Sequence, residues 1–200
     1  MKNLVRALTV AAAVAVAPNI MLAQKNQFEV GSKVLSVGLL LGGTSYTTYT
    51  GDNYGSGGIG VGAGFEVGVG EIAKQVRLGV GGFLGYQHDS GGPFDNNSSV
   101  SSILVAGFVN GHYQLKQVPK LDLYAGPVLG ISRQSVNYDK KCVSLFTDYC
   151  DYQSRYPKSY PAVGVQTGAR YEFTPGLLGS IQLSVGTRLP LANAGIAFKF

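Results

Sequence analysis

From Gly58 to Val69 the chain alternates without a break. Ile59, Val61, Ala63, Phe65, Val67 and Val69 share one parity, and Gly58, Gly60, Gly62, Gly64, Glu66 and Gly68 share the other. Successive strand residues point to opposite faces, so this period of two predicts a β-strand with an aliphatic face and a small, polar one. The pattern recurs along the chain. About Phe28 to Leu41 sets Leu35, Val37, Leu39 and Leu41 against Ser36, Gly38 and Gly42. Val76–Gln87 sets Val76, Leu78, Val80, Leu84 and Tyr86 against Arg77, Gly79, Gly81, Phe83 and Gln87. Val100–Leu115 turns Ile103, Val105, Val109 and Tyr113 one way and Asn110, His112 and Gln114 the other, with Leu104 and Phe108 blurring the polar side. Leu121–Val136, Tyr160–Phe173 and Leu178–Leu189 repeat the alternation, the first of them interrupted by Pro127, which predicts a kink or bulge. The last segment runs from Asn193 to Phe200, with Ala194, Ile196, Phe198 and Phe200 on one face.

These eight segments mostly reach the ~9–11 residues a tilted strand needs to cross a bilayer, whereas soluble strands average about 5–6. No apolar run of about 18 residues follows the first two dozen, so no spanning helix is predicted. The connections are sorted by length. Gly43–Ser56, His88–Ser99 and Asn137–Lys158 are long; Gly70–Gln75, Gln117–Lys120 and Thr174–Gly176 are short. The seventh, Pro190–Ala192, breaks the alternation. An even number of antiparallel strands with long loops at one end and short turns at the other predicts an all-β fold, an eight-stranded antiparallel up-and-down transmembrane β-barrel. Both termini would then be periplasmic. A lipocalin-like soluble barrel also has eight strands, but it would put its aliphatic face inside and a polar one in water. A glycine-rich face makes a poor solvent face.

The first 23 residues read as a secretory signal peptide: Lys2 and Arg6 precede the apolar run Ala7–Pro18, and Ala23 suits the cleavage site. Residues 24–200 are then the barrel domain. Glycine, at 29 of 200 residues, is about twice its usual ~7% share. The formal charge of +5 includes two units from the leader, and the remaining basic residues are dispersed, which argues against a nucleic-acid partner.

The small face also carries a balanced set of charges, Glu66, Arg77, Asp122, Arg170, Glu172 and Arg188. Inside a narrow eight-stranded bore such charges must pair, which predicts a packed interior that passes ions poorly. A narrow porin-like channel for small solutes is the alternative. Aromatics near strand ends (Phe28, Tyr86, Tyr113, Tyr160, Tyr171, Phe173, Phe198, Phe200) suit interfacial girdles. Cys142 and Cys150 lie together in the longest connection and, in an exported chain, read as a disulfide. Around them Tyr138, Phe146, Tyr149 and Tyr152 form either a binding surface or the packing of a loop collapsed over the barrel mouth. No cofactor or metal motif is present. A lipid-modifying enzyme would need a serine with a histidine base. His88 reads as a loop residue, and His112 is about ten residues along its strand from Ser101 and Ser102, so the sequence predicts no enzyme.

The glycine-alternating stretch Gly58–Val69, the run LDLYAGPVLGIS from Leu121 to Ser132 and the terminal Phe200 together resemble the small bacterial outer-membrane β-barrel superfamily over residues 28 to 200. The resemblance implies residence in the outer membrane of a Gram-negative cell, among outer-membrane lipid and lipopolysaccharide. It also implies that Phe198 and Phe200 serve the barrel assembly machinery as a recognition signal. Members range from anchors and adhesins to narrow channels. The function expected here is a non-enzymatic structural or adhesion-like surface role carried by the loops.

Overall fold

The alternating segments close into a ring. The structure, a computed structural model, describes residues 28–47, 53–56, 58–73, 75–92, 95–115, 117–138 and 156–200. In chain order its strands are β1 (Lys33–Leu41), β2 (Thr44–Thr47), β3 (Asn53–Ser56), β4 (Ile59–Ala73), β5 (Val76–Gly92), β6 (Asp95–Gln114), β7 (Leu121–Tyr138), β8 (Tyr156–Thr174), β9 (Leu177–Thr187) and β10 (Ala192–Lys199). Eight of them form the barrel in the order β1-β10-β9-β8-β7-β6-β5-β4, and β2 and β3 form a separate hairpin in the first long connection. Every neighbour in the ring is antiparallel. The seam joins first strand to last, from Val34↔Lys199 to Leu41↔Ala192. Lys33 and Phe200 then exchange both backbone hydrogen bonds, at 3.1 and 3.0 Å. A row of partners followed around the ring returns to β1 about ten residues further along, a stagger that tilts the strands by ~40°.

The faces fall as the alternation predicts. Leu84, Leu129, Ile131, Val165, Ile181 and Val185 are exposed on the outer wall, while Glu66, Asn110, His112, Asp122 and Ser132 are almost wholly buried inside. A sheet must pair every backbone group before it can stand in hydrocarbon, and a closed ring has no edge along the paired span. Eight strands also leave a bore only wide enough for side chains.

Several strands differ from their sequence-based bounds. β5 and β6 run on through His88–Ser99, read above as a loop, and pair as far as Gly92↔Asp95. Glycine, serine and asparagine there resemble turn chemistry, but the ladder between β5 and β6 holds them extended. β7 likewise continues to Tyr138, opposite Ser98. At the predicted kink the β6–β7 ladder passes from Phe108↔Val128 to Gly111↔Ala125 and leaves out Pro127 and Gly126. Pro127 has no N–H to give, and Gly126 lets its strand press against the Val109 carbonyl.

The signal-peptide residues and the connection carrying Cys142, Phe146, Tyr149, Cys150 and Tyr152 lie outside the described residues, so the disulfide and the aromatic loop stay expectations. Tyr138 is the last residue of β7.

Gly195 faces the lumen where β10 meets β1, and a Cβ there would run into the backbone of Val37 and Gly38. Gly82 faces outward with its nearest neighbour 3.7 Å from such a Cβ. Gly195→Ala is therefore expected to cost about 1–3 kcal/mol and Gly82→Ala almost nothing, as read from urea midpoints and the heat-dependent gel mobility of the folded barrel.

Candidate functional site

The lumen holds one connected polar network. Glu66 comes from β4, Asn110 and His112 from β6, Asp122 and Tyr124 from β7, and Arg170 from β8. Strand register places them at one level, with Asp122 opposite both Gln114 and Arg170. Glu66 is saturated: its Oε1 accepts from Asn110 Nδ2 at 2.9 Å and meets His112 Nε2 at 2.8 Å, and its Oε2 accepts from Arg170 Nη2 at 2.7 Å. His112 reaches Asp122 through its other nitrogen, Nδ1, at 2.9 Å, so the ring bridges two carboxylates. Arg170 also lies 4.0 Å from Asp122 and sits over the Tyr124 ring at 4.5 Å. From Asn110 the network climbs through Gln166 and Gln182 to Ser184. Buried ions with this many partners offset part of the cost of leaving water.

Apolar groups close the network in from both ends. At the end carrying the chain termini, the segment before β1 folds into the bore. Gly31, at φ +88°, turns the chain, and Gly31 N–H donates to the Gly68 carbonyl at 2.8 Å. Phe28 then stacks on His112, with ring centroids 3.7 Å apart and 12° between planes, over a cluster of Val34, Leu178 and Ala197. At the end carrying the long connections, the short β9–β10 link dips inward. Arg188 adopts φ 60° and turns Leu189 into a cluster with Leu104, Ala106, Phe108, Val128 and Ala162. Between the plug and the network lies a gap of ≈ 10 Å³, about one water molecule, bordered by Gln166, Gln182 and Ser184.

The outer wall carries one Ser–His contact. His88 is a β5 residue, not a loop residue, and its Nδ1 lies 3.0 Å from Oγ of Ser101, its partner on β6. A hydrolase needs more than this pair: an acid to orient the ring and free donors for an oxyanion. Among the described residues no carboxylate bonds the ring, and Ser101 is flanked by ladders to β5 and β7.

No protein-family model matches the chain, and no curated protein matches it in sequence. Solved structures do match in shape. Ail, the attachment invasion locus protein of Yersinia pestis, superposes with a TM-score of 0.52 at 10% identity, covering 86% of this chain and 99% of that one. Neisserial surface protein A gives 0.52 at 15% identity over 85% and 97%. The outer membrane protein OprG of Pseudomonas aeruginosa gives 0.52 at 11% over 86% and 97%. The chain has the fold of the small outer-membrane β-barrels.

Within this outer-membrane barrel fold the six charges expected inside divide. Glu66, Asp122 and Arg170 meet in the network. Arg77 instead donates to Gln114 Oε1 at 3.1 Å. Glu172 faces Lys199 at 3.8 Å and accepts from the Gly176 N–H. Arg188 donates to Gln134 and covers the Tyr160 ring at 4.3 Å near the plugged end. His112, read above as an inward-facing residue too far from Ser101 and Ser102 to serve them as a base, is the centre of the network. Its signal was the inward parity, but its partners lie far off along the chain: register brings in Glu66 from β4, and the turn at Gly31 brings in Phe28. Phe28 and Tyr160 are not girdle residues: Phe28 is buried inside, and Tyr160 lies under Arg188. Tyr86, Tyr113, Tyr171, Phe173 and Phe200 are exposed, the last two by about 60%. Phe198 pairs with Leu35 and Leu177.

Removing Arg170 or Glu66 takes a charge partner from the buried ions that remain. Arg170→Ala and Glu66→Ala are each expected to destabilise the barrel by about 3–5 kcal/mol. In the double variant the two costs should fall well short of adding, which urea unfolding of all three variants in one detergent would measure.

Proposed function

We propose that this chain is an integral barrel of the bacterial outer membrane whose role is carried by the loops it displays, without a reaction of its own and without an open pore. The inversion of its faces supports this most directly. Aliphatic side chains cover the outside of a closed sheet, and ions and amides fill the inside. In water that wall would expose an apolar surface far larger than a soluble monomer carries. In a bilayer it is the required surface, ~25 Å tall with aromatics toward its borders. The end with the long connections then faces the outside, and both termini face the periplasm. Phe200, on the rim, is available to the assembly machinery.

The surface role draws on the loops. Long connections gather at one end, a rigid scaffold holds them, and binding residues concentrate on loops held in this way. Tyr138, Phe146, Tyr149 and Tyr152, with the Cys142–Cys150 pair, make the Asn137–Lys158 connection the first segment to test. Yersinia pestis Ail, whose name records attachment and invasion, has the same fold, which is in keeping with an adhesion-like role here.

Two experiments test the reading. Deleting Lys141–Asp151 should leave assembly and heat-dependent mobility unchanged while abolishing attachment of expressing cells to host cells or proteins. Unchanged attachment would remove the loop from consideration. Purified barrel in planar bilayers should give no reproducible conductance steps, because Phe28 and Leu189 seal the bore around the ion network. Steady steps would instead establish the narrow channel.

A further inference from the structure

The outer wall changes chemistry at one level and on one side. Toward the end with the long connections, its apolar positions on β4–β7 run out at Ile59, Tyr86, Ile103 and Ile131, all exposed. Immediately beyond, the outward positions of β5–β8 are His88, Ser101, Arg133 and Ser159. Register sets His88 beside Ser101, and Arg133 between Ile103 and Ser159. His88, Arg133 and Ser159 are exposed and Ser101 is half-buried. The His88 ring is held by Ser101 through Nδ1, which turns Nε2 away from that bond. Asp89 has the inward parity, so it does not neutralise the patch. On the other half of the ring the same border is apolar, formed by Leu41, Val185 and Leu191.

We propose that His88, Ser101, Arg133 and Ser159 form a binding site for the phosphate of a phosphorylated lipid in the leaflet at this end of the barrel. The proposal rests on the outer-membrane reading above. Two-point donation from a guanidinium suits a phosphate, and hydroxyl groups beside it complete the donor set. The wall directly beneath fixes the source. Tyr86, Ile103 and Ile131 offer the lipid's acyl chains an apolar surface continuous with the polar stripe, which a free ion would not use. The depth agrees as well, since a cation just past the apolar band lies at headgroup level. Because the stripe covers one half of the ring, the lipid sits on the β5–β8 side only.

The test uses the full barrel in phosphatidylcholine nanodiscs doped with a bis-phosphorylated glucosamine lipid, released into detergent and weighed by native mass spectrometry. The Arg133 cation at headgroup depth contributes about 1 kcal/mol, about fivefold, so Arg133→Ala, with His88→Ala removing one further donor, is expected to lower retained glycolipid roughly five- to tenfold. Arg133→Lys with His88 intact keeps the charge but loses the two-point donation, so its retention should fall between those of the native barrel and the double variant. The dephosphorylated glycolipid should be retained no better by the native barrel than the phosphorylated one is by the double variant. Equal retention by native and double-variant barrels, or retention indifferent to the phosphates, would overturn the site. Entry into the discs is scored separately. A barrel that never enters them refutes the membrane reading itself, whereas entry with unchanged retention refutes only the lipid site.

Discussion

A ring of eight strands has to be filled by its own side chains, and most of what this chain does with its inward positions follows from that. The bore cannot take a large residue on every strand at one level, so glycine stands opposite each bulky group. A Cβ at Gly62 or Gly85 would strike Phe83, one at Gly81 would strike Phe108, and one at Gly168 would strike Tyr124. The inward glycines are therefore a packing requirement set by curvature. The same narrowness brings Glu66, His112, Asp122 and Arg170 together, Glu66 pairing with both His112 and Arg170, and His112 with Asp122.

The two seals give this network its character. Phe28 and Leu189 are apolar, and both belong to short irregular segments: one precedes β1 and the other joins β9 to β10. Each depends on a residue with positive φ, Gly31 or Arg188, to turn inward. A non-glycine residue there costs of order 1 kcal/mol or more, and at Arg188 the bond to Gln134 and the stacking on Tyr160 help offset it. Sealed from water at both ends, the ions interact through a low-dielectric interior, which strengthens each pairing and raises the penalty for losing one.

Much of this was legible in the alternation. Ile59 to Val69 alone shows which parity is lipid-like, and the same parity reading assigned Glu66, Asp122 and Arg170 to the interior. Three things were not legible, each for a physical reason. His112 and Glu66 are 46 residues apart, and alternation says which way a residue points without saying what lies across the bore. Phe28 sits near a strand end, where an aromatic looks the same whether it faces lipid or folds inside; the turn at Gly31 decides. His88 opens a stretch of Gly, Ser, Asp and Asn that resembles a loop by composition and is held as strand by the β5–β6 ladder, which also sets it beside Ser101. The fold was thus carried by local pattern, while the contacts that make the interior and the outer stripe were carried by register.

The position of Phe28 also determines how the chain leaves the barrel. A terminal strand with no inward turn would release its N-terminal flank at the rim, alongside the membrane surface. Here the backbone crosses under the rim at Gly31 and Ser32, tied to Gly68 by two hydrogen bonds of 2.8 and 2.9 Å, and Phe28 lies inside the bore over His112. Entry into β1 is therefore fixed from within the bore, and prying β1 away from β4 would break these two bonds as well as the ladder.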